Sequence, residues 1–413
     1  MTERESKKKI FGISDEVIEK CVRCGSCRTV CPVFNVTHEE PSVARGKIFL
    51  ANMINKGNIE LDKEAAGIFN LCATCLRCAE ICPLKVNYEK IIISARALCV
   101  EKFGLSPEKK AAVFLFSNRE LLKALGKVAA PLTKIFTKSS KSPQNRLFPI
   151  DIPKIGKVLL PEIKSKPFND KDRWYSAKGK EKGKVAFFSG CMFNNFYTET
   201  AQNVVKVLNA LGYSVFVPRD QHCCGAPALF AGDLKTFEKM KEKNLKTFQN
   251  LNVDFIVTAC ATCGHILKKE YKETSFKTKE LIEVLFENLE ELRKWKFPQK
   301  VIVTWHHPCH IVRGQKIPRN YPLDVLKVIE NIEFVNLEEA DNCCGMGGSF
   351  KLSHPEISKE IQLKKVRNIE KTKGDFVLTE CPGCVMNIAE GLERINSNIK
   401  SLHIADILAK CID

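Results

Sequence analysis

Eighteen of the twenty cysteines in this chain fall into two repeating patterns, and thiolate sulfur in a fixed repeat is the material of metal–sulfur chemistry. The first pattern, C-x2-C-x2-C-x3-C-P, occurs twice: Cys21, Cys24, Cys27 and Cys31 before Pro32, then Cys72, Cys75, Cys78 and Cys82 before Pro83. Each position of the second copy lies 51 residues after its counterpart in the first. Three closely spaced cysteines wrap one corner of a cubane, because each thiolate reaches a different iron. The fourth, beyond a helical step, ligates the other cluster in a two-cluster arrangement. The spacing predicts two [4Fe–4S] cubanes, one on Cys21, Cys24, Cys27 and Cys82 and one on Cys72, Cys75, Cys78 and Cys31. Zinc also accepts C-x2-C, but zinc sites do not usually add a third cysteine this close, followed by C-P.

The second pattern is longer. Its first copy is SGC (Cys191), HCCG (Cys223, Cys224) and ACATCG (Cys260, Cys263). Its second is HPC (Cys309), NCCG (Cys343, Cys344) and ECPGC (Cys381, Cys384), displaced by 118 to 121 residues. Five thiols per copy exceed what one cubane or one zinc needs. Adjacent cysteines serve a single tetrahedral ion poorly and suit a larger cluster whose irons they bridge or divide. All ten are candidate metal ligands, and Cys224 and Cys344 are the candidate reactive thiolates. Gly225 and Gly345 allow a tight turn behind each pair, and the amides of GMGGSF after Cys344 are candidate donors to sulfur. The competing reading, buried cysteines acting as small apolar residues, does not account for ten in register. Cys99 and Cys411 lie outside both patterns and read as ordinary thiols.

Three histidines, His306, His307 and His310, surround Cys309. Imidazole titrates near neutrality and can give a proton to a thiolate product. The preferred reading is a hydrogen-bonded outer shell or a packed turn, and His222 and His265 are read the same way.

These residues need elements to hold them. Between the first two motifs, Ala44 to Gly57 has a helical apolar face of Ile48, Leu50, Met53 and Ile54, and Tyr88 to Leu105 reads as a second helix. Farther on, the apolar runs Val185–Gly190, Asp254–Ala259 and Asp375–Glu380 each end at a cysteine and VIVTWH stands before Cys309, with helical stretches between them. Alternating strand and helix predicts parallel α/β layers, with sites outside the carboxyl ends of the strands. The expected organisation is a helical di-cluster ferredoxin domain over 1–105 and a basic helical linker over 106–183. Two duplicated α/β domains follow, over 184–297 and 298–413.

The chain has 413 residues, 44% of them hydrophobic, and a formal net charge of +17. Its charged start, MTERESKKKI, lacks the apolar stretch of a secretory signal, and no run approaches the roughly 18 apolar residues of a spanning helix. The expectation is a cytoplasmic protein whose cysteines are ligands and not disulfides. Residues 101 to 184 carry 20 Lys and Arg against 8 Asp and Glu. Within them, LLKALGKVAAPLTKIFTK has the spacing of an interfacial helix broken at Pro131. A linker helix packed on its own domains is preferred, and the local charge suggests an acidic or membrane-bound partner. That leaves a peripheral place on the inner membrane face open. No nucleic-acid module accompanies the charge. No G-x-G-x-x-G opens a helix after a strand, so a flavin or NAD must come from another subunit.

With these motifs the chain resembles the CCG-domain iron–sulfur proteins. They include one of the subunits of heterodisulfide reductase and the iron–sulfur subunits of anaerobic glycerol-3-phosphate dehydrogenase, glycolate oxidase and lactate utilisation. WHHPCHIVRGQKIPR, CCGMGGSFKLSHPEIS and TECPGC carry the likeness. The resemblance implies an oxidoreductase subunit in which each complete CCG motif binds a noncubane [4Fe–4S] cluster. In the heterodisulfide branch such clusters take a disulfide between them, fed by the cubanes. The other branches imply an electron conduit from a flavoprotein dehydrogenase toward a quinone-linked or haem-containing membrane subunit. All ten cysteines favour the first branch; GMGGSF looks more like the lactate and glycolate branches. Relatives often read HDPCH, and His307 stands here at the acidic position. A zinc-stabilised scaffold is the third alternative.

Overall fold

The computed structural model describes residues 15–148, 157–272 and 276–412. The charged start and part of the basic linker lie outside them. The described chain divides into two compact units: one comprises the N-terminal part through Val113 plus Pro227–Phe237 and Gly345–Ile361, and the other the remainder.

The first unit is helical. Ala44–Asn55 buries Ile48, Ala51 and Ile54 and leaves Leu50 and Met53 half-buried. The helix Lys63–Asn70 starts at Asp62, whose carboxylate accepts from the Ala65 amide at 2.8 Å. In the same way Asn87 caps Tyr88–Phe103, accepting from the Lys90 amide. Such side-chain acceptors satisfy amides that a helix leaves without partners in its first turn. Ile91, Ile92 and Ala95 of Tyr88–Phe103 and Phe69 of Lys63–Asn70 are all buried.

The second unit is built on sheets. Strands β1 (Lys138–Ser139), β2 (Asn145–Leu147) and β3 (Leu159–Pro161) form a small antiparallel sheet. Next come β4 (Arg173–Tyr175), β5 (Gly183–Phe187), β6 (Tyr213–Val217), β7 (Phe255–Thr258) and β8 (Thr278–Glu280), in the spatial order β4-β6-β5-β7-β8. Only β4 is antiparallel to its neighbour. Strands β9 (Lys296–Trp305), β10 (Glu330–Phe334), β11 (Phe376–Thr379) and β12 (Lys400–His403) form an all-parallel sheet in the order β10-β9-β11-β12. That order repeats β6-β5-β7-β8, so the duplication read from the cysteines is a duplication of topology. Parallel strands are covered on both faces and read as continuous apolar runs; Ala186, Phe187, Ile256, Val257, Val303 and Leu378 are accordingly buried.

The basic stretch departs from expectation at Pro131, which sits inside an unbroken helix, Arg119–Phe136. Proline removes one backbone bond and crowds the preceding turn, at about 3 kcal/mol. An Asn118 cap, strong helix formers on both sides and burial of Leu122 and Ala130 outweigh that cost. Packing on its own unit covers only part of this helix. Leu125, Val128, Leu132 and Ile135 form an exposed stripe, Ile135 being 73% exposed. No helix among the described residues is long and apolar enough to cross a membrane.

Candidate metal centres

In the first unit, each cysteine motif turns into a short helix, Ser26–Val30 and Arg77–Ile81, and these two helices pack together. One small cavity is lined by Cys21, Cys24, Cys27 and Cys82, together with Cys78, Arg45 and Tyr88. Cys24 is exposed, and hydrogen bonding by Ser26 draws its thiol down. Burial pushes the thiols of Cys31 and Cys78 up; Cys72 adds to this at Cys31, and Cys75, Cys72, Cys31 and Cys27 add to it at Cys78. The Tyr88 hydroxyl lies 3.6 Å from Cys72 Sγ.

Two buried cations serve this region, and neither stood out in the sequence. Lys47 is fully buried, its ammonium held by the carbonyls of Pro41 and Ser42. Burial brings its pKa down to about 8, while Cys72 and Cys31 favour the charge. Arg96 donates to four carbonyls: Cys72 at 2.7 Å, Phe230 at 2.8 Å, Phe69 at 3.1 Å and Asn70 at 3.4 Å. It thereby ties the Cys72 loop to the strip that follows the first CCG pair. Gly232 of that strip, at φ +94°, comes so close to the Arg96 backbone that a Cβ would lie 2.5 Å from it.

In the second unit the ten remaining cysteines collect where the strands end. Cys191 follows β5, Cys223 and Cys224 follow β6, and Cys260 follows β7; Cys309, Cys343, Cys344 and Cys381 repeat this after β9, β10 and β11. Cys263 and Cys384 lie in the first turns of Ala261–Glu270 and Pro382–Arg394, with Cys260 and Cys381 as the respective N-caps. A helix N-terminus favours thiolate. Gly225 and Gly345 turn the chain after each pair at φ +90° and +93°, a conformation that a Cβ penalises.

Thiol contacts run from Cys191 to Cys223, on to Cys224 and Cys263, and from Cys263 to Cys260. In the second copy Cys309 meets Cys343, Cys344 Sγ lies 3.4 Å from Cys384 Sγ, and Cys384 meets Cys381. Cys260 also meets Cys381, so the two groups touch. Neighbouring sulfur and burial push the thiols of Cys191, Cys309 and Cys384 well up. A crowd of buried and half-buried thiols is the donor set expected for iron–sulfur ligation. Cys99 and Cys411 stand apart, with burial pushing their pKa values up to about 11 and about 12.

Around each group the supporting residues differ. In the first copy, Asn244 accepts from the His222 amide and donates to Cys223 O. The Tyr271 hydroxyl donates to Cys224 O, and Asn195 donates to Cys191 O. In the second copy Asn387 donates to Cys344 O at 2.6 Å. Buried Lys365 donates to the carbonyls of Glu339 and Ala340, its charge acting on Cys344, Cys309 and Cys343. Arg313, also buried, pairs with Asp341 at 2.8 Å. By the cysteine offsets of 121 and 118, Lys365 and Arg313 occupy the positions of Asn244 and Asn195. The second copy thus has two buried cations where the first has two neutral amides.

The histidines divide. Trp305 Nε1–H donates to His307 Nδ1 at 3.1 Å, and burial pushes the His307 pKa down to about 3. His310 stacks on His265 with ring centroids 4.9 Å apart and bonds Thr262. Cys309 leads into a π-helical turn, His310–Gln315, a distortion common at functional sites. His306 departs from the hydrogen-bonded outer shell expected of it: Nδ1 faces Ala340 O at 3.2 Å, but buried Nε2 has no hydrogen-bond partner among the described residues.

A family model of a cysteine-rich domain, CCG, matches residues 185–268 and 303–389, and one of a 4Fe-4S dicluster domain matches 17–86. An uncharacterized iron-sulfur protein of Methanococcus maripaludis is 32% identical over 403 residues, covering 96% of this chain and 73% of that protein. The probable glycolate oxidase iron-sulfur subunit of Bacillus subtilis is 28% identical over 415 residues, covering 94% and 92%. One subunit of the fumarate reductase (CoM/CoB) of Methanothermobacter marburgensis is 28% identical over 396 residues, covering 94% and 71%. Among solved structures, a hypothetical protein from Helicobacter pylori matches with a TM-score of 0.52 at 10% identity, over 98% of this chain and 74% of that one. That last likeness concerns the fold alone.

Proposed function

This chain belongs to the iron–sulfur family that joins a 4Fe-4S dicluster domain to two cysteine-rich CCG domains, and on that premise we propose that it carries electrons between two cubanes and a pair of CCG centres acting on a thiol/disulfide couple. Cys21, Cys24, Cys27 and Cys82 would hold one cubane, and Cys72, Cys75, Cys78 and Cys31 the other. Cys191, Cys223, Cys224, Cys260 and Cys263 form the first CCG centre; Cys309, Cys343, Cys344, Cys381 and Cys384 form the second, each a noncubane [4Fe–4S] site. The observation that carries this reading is the contact of Cys260 with Cys381, which sets two complete five-thiol groups side by side. Reducing a disulfide takes two electrons and two protons and yields two thiols, so adjacent one-electron centres suit it.

A second reading follows from the glycolate oxidase relative, whose length this chain nearly matches. Here the chain is a conduit from a flavoprotein dehydrogenase toward quinone, with no substrate of its own. In either case the partner is another subunit of an oxidoreductase. The exposed apolar stripe of Arg119–Phe136, flanked by Lys123 and Lys127, supports peripheral docking on an anionic membrane surface. To decide between the readings, a disulfide or thiol is added to the oxidised, anaerobically reconstituted protein and EPR is recorded. A new signal that is lost on replacing Cys224 or Cys344 supports the disulfide reading. Unchanged spectra with rapid quinone-linked reduction overturn it in favour of the conduit, and zinc in place of iron overturns both.

A further inference from the structure

The second CCG group contains a nitrogen donor at a position where the first copy has a phenylalanine. At the offset of 118 residues relating Cys191 to Cys309, His306 stands where the first copy has Phe188. His306 follows the last residue of β9, Trp305, and is fully buried. A ring nitrogen of His306 and the sulfurs of Cys344 and Cys384 all lie within 4.8 Å of one another. Nδ1 faces a backbone carbonyl, which can only accept, so Nδ1 carries the hydrogen and Nε2 the lone pair. Nε2 has no hydrogen-bond partner among the described residues. An orphaned acceptor in the interior is costly, and polar atoms in such places ordinarily find a partner. An imidazole anchored through Nδ1–H to a carbonyl, with Nε2 bare among the described residues and two thiols within 4.8 Å of a ring nitrogen, has the arrangement of a metal-ligating histidine.

We propose that Nε2 of His306 is a metal ligand of the second CCG centre, whose donor set is therefore mixed nitrogen and sulfur while that of the first is sulfur alone. The inference rests on the reading of both CCG groups as iron–sulfur centres. Ligation uses the lone pair of Nε2 and displaces no proton, since the ring hydrogen stays on Nδ1 with Ala340. Imidazole is a fit donor for iron. Being neutral, it adds no negative charge to the centre. The two copies, similar in topology, are then chemically unequal.

The test uses the full chain, grown with 15N-labelled histidine and reconstituted anaerobically with iron and sulfide. Pulsed EPR is recorded on the second CCG centre, which is assigned by its loss in Cys381→Ser. The expected result is a strong histidine 15N coupling on that signal. In His306→Phe, which installs the residue of the first copy, the coupling disappears while the cubane signals persist. If His306→Phe does not fold, the wild-type spectrum alone decides. An iron-loaded second centre without histidine coupling, or with coupling that survives His306→Phe, overturns this inference and leaves the proposed function intact. Iron confined to the two cubanes overturns both.

Discussion

Arg96→Met removes the guanidinium that gathers four carbonyls in the first unit. The bonds to Cys72, Phe230 and Phe69 are 2.7, 2.8 and 3.1 Å long, and that to Asn70, at 3.4 Å, is marginal. A hydrogen bond to a charged group contributes about 1.5–3 kcal/mol. Three good ones at the lower end give about 4–5 kcal/mol, close to the 3–5 kcal/mol typical of breaking a buried charged pair. Methionine fills the apolar part of the space but leaves those carbonyls without a donor. The expected loss is about 4 kcal/mol, a factor of several hundred to a thousand in the local opening equilibrium. Lysine keeps the charge but has a single donor point, and reaches only some of the carbonyls, so Arg96→Lys should recover about half. The assay follows release of the Cys72-motif iron to a chelator, with opening fast enough for release to track the equilibrium. Release from the second CCG centre is measured as an internal control. Wild-type release rates in Arg96→Met would refute the reasoning, because the guanidinium would then be holding nothing that opens.

Three further outcomes are expected. Lys365→Gln should make the second CCG centre harder to reduce by about tenfold in its equilibrium, about 59 mV for one electron; Asn244→Lys should move the first centre the other way. A redox titration followed by EPR checks both. Cys82→Ala should eliminate the same cubane signal as Cys21→Ala and leave the signal of the Cys75 group, with iron falling by about four atoms per chain; loss of the Cys75-group signal instead would contradict the crossed ligand sets. Leu132→Glu combined with Ile135→Glu should reduce co-sedimentation with anionic vesicles by about tenfold or more without changing cluster content, and sedimentation that is unaffected would exclude this helix as the docking surface.

The cysteine ladder was legible because a cluster demands several sulfurs at fixed reach, and that demand is written into spacing. The parallel strands were legible for a related reason: runs such as Val185–Phe187 and Phe376–Thr379 are buried and end within a few residues of a cysteine. Other features were not. The strand pairs of 138–161 are two or three residues long, too short for any period to show. Pro131 reads as a stop because propensity is local, whereas the burial of Leu122 and Ala130 that carries the helix past it is tertiary. Lys47, Arg96 and Lys365 look like surface residues in sequence; what buries them is a set of backbone carbonyls contributed from elsewhere. His306, His307 and His310 read alike as neighbours of Cys309, and only the hydrogen bonds separate the imidazole with a bare nitrogen from the two with partners.

Pro227–Phe237 and Gly345–Ile361 are spliced from the duplicated half into the N-terminal helices. Their sequence neighbours, Ala226 and Cys344, fold with the sheets. A gene fusion that merely appended a ready-made cubane module would lack the surface these strips complete. A chimaera built by swapping only the first 113 residues between relatives should therefore be a poor protein until both strips travel with them.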